Sequence, residues 1–287
     1  MNKCSYLMVG LPGTGKTTFL AALWHVINSQ GVAGSLVLSK FVGDREYVAS
    51  ACDNWLGCRK FERTTGIELK PITLNLCDRD KTSDYELFIP DIAGEEFDRI
   101  FEERKWPKEL KEFAASADGI ILFVHPQTVK EPVSILWMNR IMGTNNTEGE
   151  IPDELHPWAP SKASTQAKLV DILQFIADVR TRLPFRIVVI VSAWDLVEKL
   201  PVGSRPKTPH KWLAQRLPLL DQFLRCNEGM IESNIFGVSA QGGDLELDAS
   251  KLLDERNPLN RIKIVTEESF VSNDLTLPIK SLLKPQG

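Results

Sequence analysis

Residues 10–17 read GLPGTGKT, and no other stretch constrains the chain as tightly. The run satisfies G-x-x-x-x-G-K-[ST], and it sits between the apolar run SYLMV (5–9) and the amphipathic segment KTTFLAALWHVINS (16–29). A strand, a glycine-rich turn and a helix N-terminus in that order make a phosphate cradle. Glycines let the backbone turn and approach closely, and the N–H groups that open a helix favour negative charge. On this reading Gly10, Gly13, Thr14, Gly15, Lys16, Thr17 and Thr18 surround nucleotide phosphates. Lys16 reaches the β- and γ-phosphates, and the Thr17 hydroxyl ligates Mg²⁺. The motif predicts phosphate binding and leaves the base open.

The remainder of the chain predicts an α/β fold. Short β-branched runs, among them GIILFV (119–124), RIVVIV (186–191) and IFGVS (235–239), alternate with helical-period segments at 44–56, 102–116, 166–183 and 209–225. Such alternation argues for a three-layer, mostly parallel twisted sheet with helices on both faces. Residues 35–41 read as a further strand, and 69–76 and 85–89 as an antiparallel pair. After residue 243 the pattern weakens to a short helix, a strand RIKIV and a terminal helix. We expect a single domain over 1–287 with insertions at about 30–62 and 126–165, the latter punctuated by five prolines and carrying one helix near 133–142. A net charge of −4 gives no electrostatic footprint for nucleic acid, so none is expected as a partner. No apolar run approaches the roughly 20 residues of a membrane span. Five cysteines without C-x-x-C spacing argue against a disulfide framework or a zinc site. The expected compartment is the cytoplasm.

Later residues decide between an ATP-driven machine and a GTP switch. An ATPase of the AAA+ kind needs two adjacent acids at a strand end. Here the strand ends FIPDIAGEEF, so Asp91 and Gly94 make D-x-x-G, which resembles the switch II element of Ras-like GTPases. The resemblance implies that Asp91 holds Mg²⁺ through water and that the Gly94 N–H senses the γ-phosphate. RTTGIELK (63–70) is similar to the switch I run of Rab proteins and G-protein α subunits. That likeness implies Thr64 as a Mg²⁺ ligand, with Thr65 as the alternative register. SAWD (192–195) stands where these families carry N-K-x-D. Asp195 matches the guanine-reading aspartate, but Ser192 replaces the Asn that ties this loop to the phosphate loop, and Ala193 replaces the Lys that covers the base. Trp194 is a candidate to pack on the base in its stead. Ser239 and Ala240 in FGVSAQGG resemble the S-A-K element, whose backbone N–H reads guanine O6.

These elements in order resemble a Ras-like GTPase of the TRAFAC class over nearly the whole chain. The 30–62 insertion, SAWD and the late DLTLPIKSLL look similar to the bacterial double-GTPase domains of multi-gene conflict systems, which include anti-phage defence. The resemblance implies GTP and GDP as ligands, Mg²⁺ as cofactor, and a switch controlling a separate effector protein, with the 126–165 insertion as the expected partner surface. Departures from the pattern bear on rate. Glu95 stands where a Gln usually orients the attacking water, Pro12 replaces a glycine beside the γ-phosphate, and Arg63 is the candidate arginine finger in cis. Slow turnover raised by a partner is expected. The alternatives are a pseudo-GTPase that binds nucleotide only to dock a partner, and a P-loop ATPase.

Overall fold

Side chains that alternate along a strand go to opposite faces of its sheet, and this rule partitions the core. In β1 (Asn2–Gly10), Tyr6 and Met8 face one apolar layer and Leu7 and Val9 the other. In β5 (Gly119–Val124) and β6 (Phe185–Ser192) every residue but Arg186 is buried, as a central strand covered on both faces requires. The computed structural model describes residues 2–61, 71–90, 94–132, 159–180 and 182–283.

Within them lies a nine-stranded sheet ordered β2-β3-β4-β1-β5-β6-β7-β8-β9. Its centre is parallel: β4 (Ser83–Ile89), β1, β5, β6 and β7 (Ile231–Ser239) run side by side in one direction. Antiparallel pairs flank it, β2 (Val37–Val42) with β3 (Ile72–Cys77) on one side and β8 (Lys263–Val265) with β9 (Val271–Ser272) on the other. The expected β3–β4 antiparallel pair is present, with Leu74 opposite Leu87.

One face carries α1 (Lys16–Ser29) and α2 (Arg45–Leu56), with Leu23, Trp55 and Leu74 in a shared apolar layer. The other carries α4 (Lys108–Ser116), α5 (Thr165–Val179), α6 (Trp194–Glu198), α7 (Pro209–Arg216) and α8 (Pro218–Cys226). α2 starts where the sequence predicts it, because the Asp44 carboxylate accepts from the Tyr47 N–H as an N-cap.

Three of the expected helices differ. The stretch 102–116 is two helices, α3 (Gly94–Glu103) and α4, parted at Arg104 (φ +57°) and Pro107. Residues 209–225 likewise break before Pro218, where Leu217 takes an extended φ of −134°, since the residue before proline disfavours helical angles. The helix expected over 166–183 stops at Val179. Arg180 turns extended there, and its guanidinium donates to the carbonyls of Ala114 and Ala117 at the end of α4. The weak C-terminal pattern resolves into α9 (Ala249–Asp254), the short β8 and β9, and α10 (Leu277–Lys280). The helix expected near 133–142 lies outside the described residues. No described helix is long and apolar enough to cross a membrane, and the five cysteines are free thiols.

Candidate functional site

A parallel sheet opens a crevice at the C-terminal ends of its strands, and the phosphate loop sits there, between β1 and α1. Gly15 takes φ +85° and opens α1 with no side-chain cap. The first helical bond runs from the Phe19 N–H to Gly15 O (2.9 Å), so the N–H groups of residues 16–18 have no acceptor within the helix and are aligned for an anion. Gly10 permits close approach to β5: a Cβ there would lie 2.8 Å from that of Phe123. The Thr14 hydroxyl donates to Leu11 O (2.7 Å), and Lys16 Nζ folds over the loop onto Gly10 O (2.6 Å) and Leu11 O (3.0 Å). Gly13, Thr14, Gly15, Lys16, Thr17 and Thr18 thus form one loop-and-helix start, as the motif predicts.

A cavity of about 380 Å³ opens from this loop along the ends of β5, β6 and β7. Gly15 and Thr18 line it at the loop, and Asp195, Ala240 and Gln241 line it beyond the ends of β6 and β7. Asp195 lies in the first turn of α6. Its Oδ1 accepts from the Ser239 hydroxyl (2.6 Å), and Ser239 Oγ accepts from the Gly242 N–H (3.2 Å). One carboxylate oxygen is therefore fixed by the last residue of β7.

Ser192 does the work that its replacement of Asn put in doubt. Its hydroxyl is buried and lies 2.8 Å from Thr14 O and 3.0 Å from Val124 O, its one proton shared between them. It ties the end of β6 to the phosphate loop. Gly15 leaves it room, since a Cβ there would lie 3.2 Å from Ser192 Oγ. Replacing Ser192 with Ala leaves two buried carbonyls short of a donor, at a cost of about 1–2 kcal/mol. The expected results are a melting temperature lower by a few degrees and a several-fold loss of nucleotide affinity, checked by thermal denaturation and titration.

Trp194 corrects the sequence reading. Its ring is 3% exposed and lies against Gly237, where a Cβ would sit 2.4 Å from Trp194 Cδ2, and it does not line the cavity. Trp194 is a core residue beneath α6. Thr64, Arg63 and Asp91 lie outside the described residues, as does the side chain of Glu95; Gly94 and Glu95 open α3. The chain does leave β4 at the phosphate-loop end, because Phe88 pairs with Leu7 of the parallel β1. Of the expected Mg²⁺ ligands, Thr17 is described, half-buried in the first turn of α1. A hydroxyl at that place suits a hard, oxygen-seeking cation.

Several cavity residues carry no sequence signal. Lys60 and Phe61, from the segment after α2, line the cavity together with Leu245 and Glu246, and Lys60 pairs with Glu246. His125, just past β5, also lines the cavity. Its Nδ1 accepts from the Gln127 N–H (3.2 Å), and burial lowers its pKa against the opposing pull of Asp195. These residues meet only because distant segments converge on one sheet edge.

A phosphate loop at a parallel sheet's C-terminal edge, joined to a cavity with a positioned aspartate, defines a P-loop nucleotide-binding protein. The chain belongs to the Double-GTPase 1 family, whose model matches residues 7–282. No curated protein matches. Solved structures with similarity include the G domain of the Thermotoga maritima FeoB iron transporter (10% identity, TM-score 0.34, covering 88% of this chain and 98% of that one). Others are the bacterial selenocysteine-specific elongation factor EF-Sec (16%, 0.39, 91% and 30%) and the GTP-bound GTPase-like domain of S. cerevisiae Ski7 (11%, 0.40, 84% and 44%).

Proposed function

We propose that the protein binds GTP and GDP with Mg²⁺, hydrolyses GTP slowly, and uses the difference between the two states to control a separate effector protein, in a bacterial conflict system of the anti-phage kind. The observation that carries this reading is the Ser239–Asp195 bond at the edge of a cavity that begins at the phosphate loop. With Oδ1 held by Ser239, the other oxygen is left for the base. A carboxylate accepts from N1–H and the 2-amino group of guanine. Adenine offers a lone pair and a C–H along the same edge, so a desolvated carboxylate disfavours it.

Phosphoryl transfer needs positioning and charge neutralisation. Lys16 and the α1 N–H groups supply part of both, and Mg²⁺, held by Thr17 and the expected Thr64 and Asp91, would neutralise charge between the β- and γ-phosphates. Among the described residues no arginine lines the cavity, and Arg63 is the candidate on sequence grounds. Slow intrinsic turnover fits that shortage, with a partner raising the rate.

The experiment is a side-by-side titration with GTP, GDP and ATP in Mg²⁺, followed by single-turnover hydrolysis. GTP and GDP are expected to bind at least about tenfold more tightly than ATP, a difference of about 1.4 kcal/mol. Equal or tighter ATP binding would overturn the guanine reading. Binding without any hydrolysis, even with added cell extract, would leave a nucleotide-holding interaction module. Fast hydrolysis by the isolated protein would remove the need for an accelerating partner.

A further inference from the structure

Helix α2 lies within the 30–62 insertion, yet it reaches the base end of the cavity. Its Trp55 is wholly buried, and a buried indole N–H needs an acceptor. That acceptor is the backbone carbonyl of Ala240, 2.9 Å away in the loop that follows β7. In a trans peptide the N–H of the next residue points opposite to the carbonyl. Trp55 therefore turns the Gln241 N–H away from α2, and Gln241 lines the same cavity as Asp195. Among the described residues no acceptor takes the N–H of Ala240 or of Gln241, and both residues line the cavity.

The loop is held against α2 at a second point. Arg261, itself buried, donates to Trp55 O (3.3 Å) and Leu56 O (3.1 Å), closing the C-terminus of α2, and its guanidinium lies 5.7 Å from the Trp55 ring centre. Gly242 packs on the backbone of the same arginine at φ +88°, where a Cβ would lie 2.5 Å from Arg261 O. Indole, arginine and glycine thus clamp the Ala240–Gln241 peptide from the α2 side, while the Ser239 hydroxyl holds Asp195 from the other.

We infer that Trp55 is a specificity-determining positioning residue: its indole N–H orients the Ala240–Gln241 peptide so that a backbone amide meets the 6-oxo group of the purine. Asp195 reads the N1 and 2-amino edge, and the inserted helix sets the reader of the third polar group. The inference rests on the guanine reading proposed above. It also makes base recognition sensitive to α2, whose chain continues through Lys60 and Phe61 along the cavity and into residues 62–70.

The test compares GTP, ITP and 2-aminopurine riboside triphosphate on wild type and Trp55→Phe. ITP lacks the 2-amino group, and 2-aminopurine lacks the 6-oxo group together with the N1 proton. The contact of that proton with Asp195 is the same in both proteins, so the change between them reports the 6-oxo contact. The preference of wild type for GTP over the 2-aminopurine nucleotide should fall roughly five- to tenfold in Trp55→Phe, as loss of one hydrogen bond predicts, while the GTP-to-ITP ratio holds. A general loosening of the fold would weaken all three alike and leave both ratios unchanged, and that outcome would overturn the inference. Should Trp55→Phe not fold, replacing Trp55 with benzothienylalanine, which keeps the bicyclic shape and lacks the N–H, must give the same selective drop. A wild type that binds GTP and the 2-aminopurine nucleotide equally would sink the guanine reading, and this inference with it.

Discussion

Lys16→Ala is expected to reduce GTP affinity by at least about a hundredfold. An ammonium against two phosphates makes charge-assisted hydrogen bonds of about 1.5–3 kcal/mol each, so losing it removes roughly 3 kcal/mol or more. In the described structure the same ammonium bonds the carbonyls of Gly10 and Leu11, but it is only half-buried, and water can replace it there. The melting temperature without nucleotide should therefore move by no more than a few degrees. Titration beside thermal denaturation separates the two effects. A variant that binds GTP as tightly as the wild type would show that the glycine-rich turn does not hold the phosphates.

Asp195→Asn has the second-largest expected effect and the more diagnostic one. An Asn oxygen can still accept from the Ser239 hydroxyl, so the geometry at the end of β7 is retained. What changes is the other atom, from a carboxylate oxygen to an NH₂ donor. It then opposes N1–H and the 2-amino group of guanine, and matches the 2-oxo group of xanthine. GTP affinity should fall by about a hundredfold, the equivalent of some 2.7 kcal/mol, and xanthosine triphosphate should become the preferred ligand. Competition between the two nucleotides measures the exchange. Undiminished GTP binding would mean that the carboxylate does not read the base.

Local chemistry made much of this legible in the sequence. The α1 boundaries and β5 follow from apolar periodicity and flanking glycines, and Asp195, just beyond β6, and Ser239, at the end of β7, are of types that announce polar contacts. Failures came where a local rule was outweighed. Two long helical periods broke into pairs, one after Glu103, where Arg104 takes φ +57° ahead of Pro107, the other where Leu217 precedes Pro218. Trp194 sits in a run of recognition residues, yet packing claims it, because Gly237, without a Cβ, leaves room for its ring. Ser192 was the reverse case. As a type it departs from the expected Asn, but its short hydroxyl suffices because the phosphate loop lies within 2.8 Å of it.

The sequence by itself determined the phosphate loop, the alternation that makes an α/β sheet, and the order of its strand-end motifs. Each of these depends on neighbours a few residues away, through backbone conformation and side-chain periodicity. Tertiary structure alone decided what joins those motifs into a site: Ser192 to Thr14, Trp55 to Ala240, Arg261 to the end of α2, and Lys60 to Glu246. These contacts link residues more than 170 positions apart in the chain. They are fixed by which strands lie side by side and by the need of each buried polar group for a partner, and neither condition is written in the local pattern of residues.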